Sequence, residues 1–133
     1  MLCAGEALTD MIHQGDEQWV SRVGGSTWNV ARALAALGEP TAFAGAISLD
    51  RFGDALWSAS EAVGLDTRLL QRVDRSPLLA VVEQGEPPRY FFIGDDSADL
   101  HFEPALLPAG WAEGLRWAHF GGISLAREPL ASR

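Results

Sequence analysis

Apolar and polar positions fall into blocks whose period changes along the chain, and the changes mark its elements. Leu2 to Ala7 is a short apolar run of strand length that leads into Leu8-Thr9-Asp10. A polar stretch through Gly15, Asp16, Glu17 and Gln18 follows, then Gly24-Gly25-Ser26-Thr27. From Trp28 to Leu37 the period becomes helical, with Val30, Ala33, Leu34 and Leu37 in one stripe. Ser26 or Thr27 is the expected N-cap, Gly38 closes the helix and Pro40 prevents its continuation. Thr41 to Ile47 is again strand-like. A second helix is predicted over Arg51 to Val63, capped by Asp50 and ended by Gly64, with Phe52, Leu56, Ala59 and Val63 on one face.

Strand, helix, strand, helix in this order predicts an α/β protein with a largely parallel sheet. Leu78 to Glu83 and Arg89 to Ile93 break the rhythm, as two strands of a hairpin joined through Gly85-Glu86-Pro87-Pro88. A hairpin with one solvated face alternates. This one is apolar on both: Leu78, Ala80 and Val82 on one face, Leu79 and Val81 on the other, with Tyr90, Phe91, Phe92 and Ile93 opposite. It therefore needs cover on both sides, from its own core or from a partner. Arg116 to Phe120 is a further core strand ending at Gly121-Gly122, and Arg127-Glu128-Pro129-Leu130 has the form of a first helical turn with Pro129 at N1. A chain that stops at Arg133, one turn into that helix, is expected to be a truncated part of a longer domain.

Composition narrows the chemistry. The 133 residues are 47% hydrophobic and 21% charged, which suits one folded domain. The net charge is −8, and all ten basic residues are arginine. With no lysine there is neither a P-loop lysine nor a lysine Schiff base. An acidic balance without a basic run argues against nucleic acid or an anionic membrane as partner. Cys3 is alone, so an intrachain disulfide or a thiolate zinc cluster is excluded, and His13, His101 and His119 lack metal-ligand spacing. The opening residues show no basic stretch followed by a long apolar core, and no apolar run approaches the ~20 residues of a membrane span, so a cytoplasmic location is expected.

The most informative stretch is Gly24-Gly25-Ser26-Thr27-Trp28-Asn29-Val30-Ala31, followed by Gly38, Gly45, Asp50 and Gly53. Two glycines before a helix let the backbone approach a ligand closely, and a helix start offers unpaired N–H groups. Asn29 adds an amide that both donates and accepts, which suits sugar hydroxyls. The plainer alternative is a loop glycine pair with an ordinary cap. The spacing is not G-x-G-x-x-G, so no dinucleotide fingerprint is present. Asp10 is either a hydroxyl acceptor or a turn cap after the first strand, and Trp28 either a stacking wall or, preferably, a core aromatic. Glu6 reads as structural and Asp50 as a cap.

Gly24-Gly25 to Gly53 resembles the first signature of the PfkB (ribokinase-like) carbohydrate kinases, in which a Gly-Gly pair and an Asn precede an Ala-rich helix, a Gly and a Gly-x-Asp-x-x-Gly element. Gly5-Glu6-Ala7-Leu8-Thr9-Asp10 resembles the family's opening Gly-Glu-x-x-x-Asp, Leu78–Ile93 with Asp95 to Phe102 its lid region, and His119 to Leu125 a run common in fructokinase-like members. Thr27 and Trp28 stand where small residues are usual, and Ser48 where glycine is.

The resemblance implies a ribokinase-like fold: a mostly parallel, Rossmann-like sheet flanked by helices, with a β-hairpin lid. Residues 1–133 would form its N-terminal sugar-binding part, with lid segments at about 11–23 and 76–102. The implied activity is transfer of the ATP γ-phosphate, with Mg²⁺, to a primary hydroxyl of a sugar, fructose first. A 2-keto-3-deoxygluconate or nucleoside kinase, or a non-catalytic sugar-binding or truncated protein, is the alternative. Asp10, Gly24, Gly25 and Asn29 match sugar-holding positions, and Phe92 and Asp99 fall in the lid stretch. The family's Gly-Ala-Gly-Asp-like loop, which holds the catalytic base, has no counterpart here, so no catalytic residue is expected in this chain and it should be inactive alone. A homodimer through the lid hairpin is the implied assembly.

Overall fold

The computed structural model describes residues 1–133, arranged as two four-stranded sheets. Strand β1 (Leu2–Ala4) is followed by β2 (Leu8–Gly15), β3 (Gln18–Gly24), helix α1 (Ser26–Ala36), β4 (Ala42–Ser48) and helix α2 (Arg51–Ala62). Then come β5 (Leu70–Val73), β6 (Leu79–Glu83), β7 (Arg89–Ile93) and β8 (Ala118–Phe120). Short 3₁₀ turns occupy Ala98–His101, Pro104–Leu106, Gly122–Leu125 and Leu130–Ser132.

The first sheet is parallel throughout, in the order β5-β4-β1-β8. Alternation sends its side chains to two faces. Cys3, Phe43 and Ile47 pack with Trp28 and Ala31 of α1 and Leu56 of α2, the largest core cluster. Leu2 and Ala44 face the other way, against Leu69, Phe102 and Leu107. Trp28 is fully buried, and its indole N–H donates to Ser60 Oγ at 2.9 Å, fastening α1 to α2. It is a core aromatic, as the sequence favours.

The second sheet runs β3-β2-β6-β7. Its outer pairs are antiparallel hairpins and its central pair, β2 with β6, is parallel. The predicted β6–β7 hairpin is present, with Leu79 opposite Ile93 and Glu83 opposite Arg89, but as half of this larger sheet. No helix is long and apolar enough to cross a membrane.

Several expectations need correction. The polar stretch before Gly24 is strand β3, whose exposed edge position tolerates Gln18, Ser21 and Arg22. Helix α1 begins at Ser26 with Gly25 as its N-cap, so neither Ser26 nor Thr27 caps it by its side chain. The first strand ends at Ala4, where Gly5 turns the chain, and the last predicted strand keeps only Ala118–Phe120. Strand β5 was not predicted; four residues give too short a pattern. Arg127–Leu130 opens no α-helix: Pro129 precedes a single 3₁₀ turn. Asp50 does cap α2, accepting from the N–H groups of Phe52 and Gly53, and Ser48 Oγ donates to the same carboxylate at 2.7 Å.

Candidate functional site

Where β3 crosses back to start α1, the chain passes directly over the Glu6–Ala7 link between the two sheets. That crossing explains the glycine pair. Gly25 holds φ +111°, and a Cβ there would sit 2.8 Å from the Glu6 carbonyl oxygen. A Cβ on Gly24 would overlap the Asp10 carboxylate. Gly25 is therefore reserved for glycine by conformation and by backbone approach, while a side chain at Gly24 would push the Asp10 carboxylate aside.

Glu6 organises the junction from below. It is 2% exposed, and its Oε1 accepts from the backbone N–H of Ser26 at 3.1 Å and from Ser26 Oγ at 2.6 Å. Its Oε2 accepts from Thr27 Oγ1 at 3.4 Å and from Ser124 Oγ. Glu6 thus supplies the cap that Gly25 lacks, and a carboxylate at a helix N-terminus is favoured by the helix dipole. Thr27, unusual for the family pattern, is fully buried and also donates to the Gly121 carbonyl at 3.2 Å.

Above this junction opens a cleft of about 370 Å³ between the start of α1 and the inner face of the second sheet. Asp10, Gly25 and Asn29 line it together, and the paired aromatics Tyr90 and Phe92 wall it, their rings edge to face at 5.8 Å. The volume is that of a small-molecule site. Burial raises the Asp10 carboxyl above its ordinary pKa, and no neighbouring charge or hydrogen bond offsets that rise. Its oxygens are open to donors from a ligand. An acceptor-only carboxylate facing an amide, between apolar rings, can grip vicinal hydroxyls while the rings cover a carbon face.

Of the residues singled out in the sequence, Asp10, Gly25, Asn29 and Phe92 meet in this cleft, and Gly24 backs Asp10. Asp99 does not line it. It lies in the 3₁₀ turn Ala98–His101, 1% exposed, accepting from Ser97 Oγ at 2.5 Å and standing 3.3 Å from Arg127 Nε. Sequence reasoning missed Tyr90, Gly122 and Ile123 as lining residues. Tyr90 had a signal, the period-2 step from Phe92. Gly122 and Ile123 come from a turn remote in sequence, and only the pairing of β8 beside β1 brings them in. No group of three or more His, Cys, Asp or Glu side chains is placed to hold a metal ion.

The chain is a two-layer α/β body with a polar-floored, aromatic-walled cleft under a second sheet, which places it among small-molecule-binding α/β folds. The match to known proteins agrees with that class: the model for "pfkB family carbohydrate kinase" covers residues 2–125, and the chain belongs to that family. It is 31% identical to a fructokinase of Escherichia coli over 129 residues, covering 94% of this chain and 41% of the relative. It is 33% identical to a fructokinase of Rhizobium leguminosarum bv. trifolii, covering 97% and 41%. The crystal structure of fructokinase from Xylella fastidiosa superposes with a TM-score of 0.90 at 28% identity, over 99% of this chain and 43% of that one; the same enzyme with bound ATP gives 0.89 at 26%, over 99% and 44%. The chain thus spans about two fifths of the length of these relatives.

Proposed function

We propose that this chain is the sugar-holding part of an ATP-dependent carbohydrate kinase, with fructose as the preferred sugar. The observation that carries the reading is the Asp10 carboxylate, unengaged by protein donors and facing Gly25 and Asn29 in one cleft. The names of the relatives supply the reaction class, and fructose is their shared substrate by name. The second sheet acts as the lid, closing Tyr90 and Phe92 over the sugar.

Phosphoryl transfer rests on positioning and on stabilising developing charge. Residues 1–133 position: Asp10 and Asn29 orient hydroxyls, and Gly24 and Gly25 let the backbone come close. We assign the base, the nucleotide and its magnesium to the remaining length that the relatives possess. An ATP-dependent reaction fits a cytoplasmic setting, and the uncovered outer face of β7, with Phe91 50% and Ile93 52% exposed, fits a homodimer through the lid.

The test is phosphorylation by the full-length gene product over a panel of fructose, other hexoses, 2-keto-3-deoxygluconate and nucleosides. Fructose should give the highest kcat/KM. Asn29→Ala should raise the sugar KM by roughly 5- to 150-fold, the equivalent of about 1–3 kcal/mol for hydrogen bonds to a sugar that covers this amide, and leave the ATP KM nearly unchanged. An unaltered sugar KM removes Asn29 from the site. Sugar binding without turnover would favour a non-catalytic module.

A further inference from the structure

The second sheet meets the body through two pairs of chain passages. One pair, Ala4–Leu8 and Gly24–Ser26, is locked by the crossing at Gly25. The other pair, before β6 and after β7, is held by one backbone hydrogen bond and by side chains. Ala98 N–H donates to the Ser76 carbonyl at 2.8 Å, and on the surface Arg75 and His101 share Asp96. Those surface charges are exposed and screened, so they hold weakly.

Inside, the arrangement is different. Arg127 follows the turn Gly122–Leu125, whose Gly122 and Ile123 line the cleft and whose Ser124 is bonded to Glu6. Its Nη2 donates to the Gly94 carbonyl at 2.7 Å, immediately after β7, and to Ser97 Oγ at 3.0 Å. Its Nε stands 3.3 Å from Asp99 Oδ2. The Asp99 side chain is wholly buried and that of Arg127 22% exposed. A buried carboxylate with one cation beside it depends on that cation. Strand β7, which carries Tyr90 and Phe92, is an edge that pairs only with β6, so its exit at Gly94 is where its position can be set from the body.

We infer that Arg127 is a positioning residue: paired with Asp99, it ties the exit of β7 to the floor of the cleft and so sets how closely Tyr90 and Phe92 stand over Asp10 and Asn29. The arginine touches no substrate; it acts through the lid strand. This rests on the sugar reading of the cleft. Displacements of about 1 Å at such distances are enough to cost affinity or rate.

The test compares Arg127→Gln with the double variant Asp99→Asn/Arg127→Gln, in the full-length gene product. The single variant leaves a buried charge unpaired and loses stability. The double variant removes both charges and should recover a wild-type-like unfolding midpoint while still lacking the tie. In ligand-free hydrogen exchange, amides of β6 and β7 in the double variant should exchange about tenfold faster than wild type, with the first sheet unchanged. Its sugar KM should rise about tenfold, with the ATP KM within about twofold. Unchanged exchange in β6 and β7 overturns the inference, and so does faster exchange with an unaltered sugar KM. If the wild type phosphorylates no sugar on the panel, the functional reading fails, and exchange alone then decides whether Arg127 holds the strand.

Discussion

The central strands of the first sheet and the β7 edge of the second use similar apolar residues and leave them in opposite states. In the first, Cys3, Phe43 and Ile47 are at most 2% exposed, because parallel strands are joined by crossovers that lay α1 and α2 across one face. In the second, Tyr90, Phe91, Phe92 and Ile93 range from 39% to 67% exposed. Hairpins return directly to the same sheet and bring no helix to cover it. The first sheet spends its apolar surface on stability. The second leaves its β7 surface open on both the cleft side and the outer side, and contiguous exposed apolar residues are what the proposed sugar site and dimer contact would use.

The sharpest way to break this contrast is to cut into the first sheet's helical layer. Trp28→Ala removes the largest buried side chain and leaves Ser60 without its indole donor. Loss of a buried tryptophan costs about 3–5 kcal/mol. Denaturant unfolding of wild type and variant in the same background measures it. A loss below about 1 kcal/mol would mean that the α1–α2 layer is not where stability resides.

An intermediate effect is expected at the cleft, where both sheets meet, and it has a sign that depends on the property measured. Burial raises the Asp10 pKa above the ordinary carboxylate value. The ionised form is the one that can accept from two hydroxyls. Sugar affinity should fall on acidification at a pH above the usual carboxylate range, and Asp10→Asn should flatten that limb. The stability contribution runs the other way. With the folded pKa above the unfolded one, ionised Asp10 is a cost to the fold above its folded pKa, relieved as pH falls toward the unfolded value. Acid therefore weakens sugar binding while easing this residue's burden on folding. Isothermal titration over a pH series tests the first part, and parallel wild-type and Asp10→Asn unfolding curves the second.

Legibility in the sequence followed the apolar pattern, buried or not: the wholly exposed β7 has the predicted bounds Arg89–Ile93. In the first sheet's layer, β4 and α2 announced themselves, because a buried strand is continuously apolar and a one-sided helix has a clear stripe: Thr41–Ile47 and Arg51–Val63 lie within a residue of them, whereas β5 was too short to show. Strand β3 did not, since its exposed edge residues Gln18, Ser21 and Arg22 look like a loop. Asp10, Gly25 and Asn29 were found through spacing and resemblance, and they do converge on one cleft. Glu6 was read as structural without its partners, because Ser26, Thr27 and Ser124 reach it from 20, 21 and 118 residues away. Arg127 carried no local signal at all. An arginine in a short turn segment becomes informative only when the fold sets it against a buried aspartate.

The smallest expected effect on stability concerns the outer face of the second sheet and sharpens the comparison from its other side. Phe91 lies opposite Val81 on the face turned away from Tyr90, Phe92 and the cleft, and is 50% exposed. Glutamate there removes little burial, so the unfolding free energy of the monomer should change by no more than about 0.5 kcal/mol, as at other exposed positions. Association should respond strongly, because a charge placed in an apolar interface loses its hydration without gaining a partner. Light scattering of the full-length gene product at micromolar concentration should give a dimer for wild type and a monomer for Phe91→Glu, with the sugar KM nearly unaltered. A wild-type monomer would remove the dimer reading. A Phe91→Glu variant that stays dimeric would move the interface elsewhere, and one that unfolds would show that this face is covered within its own chain, making the two sheets alike after all.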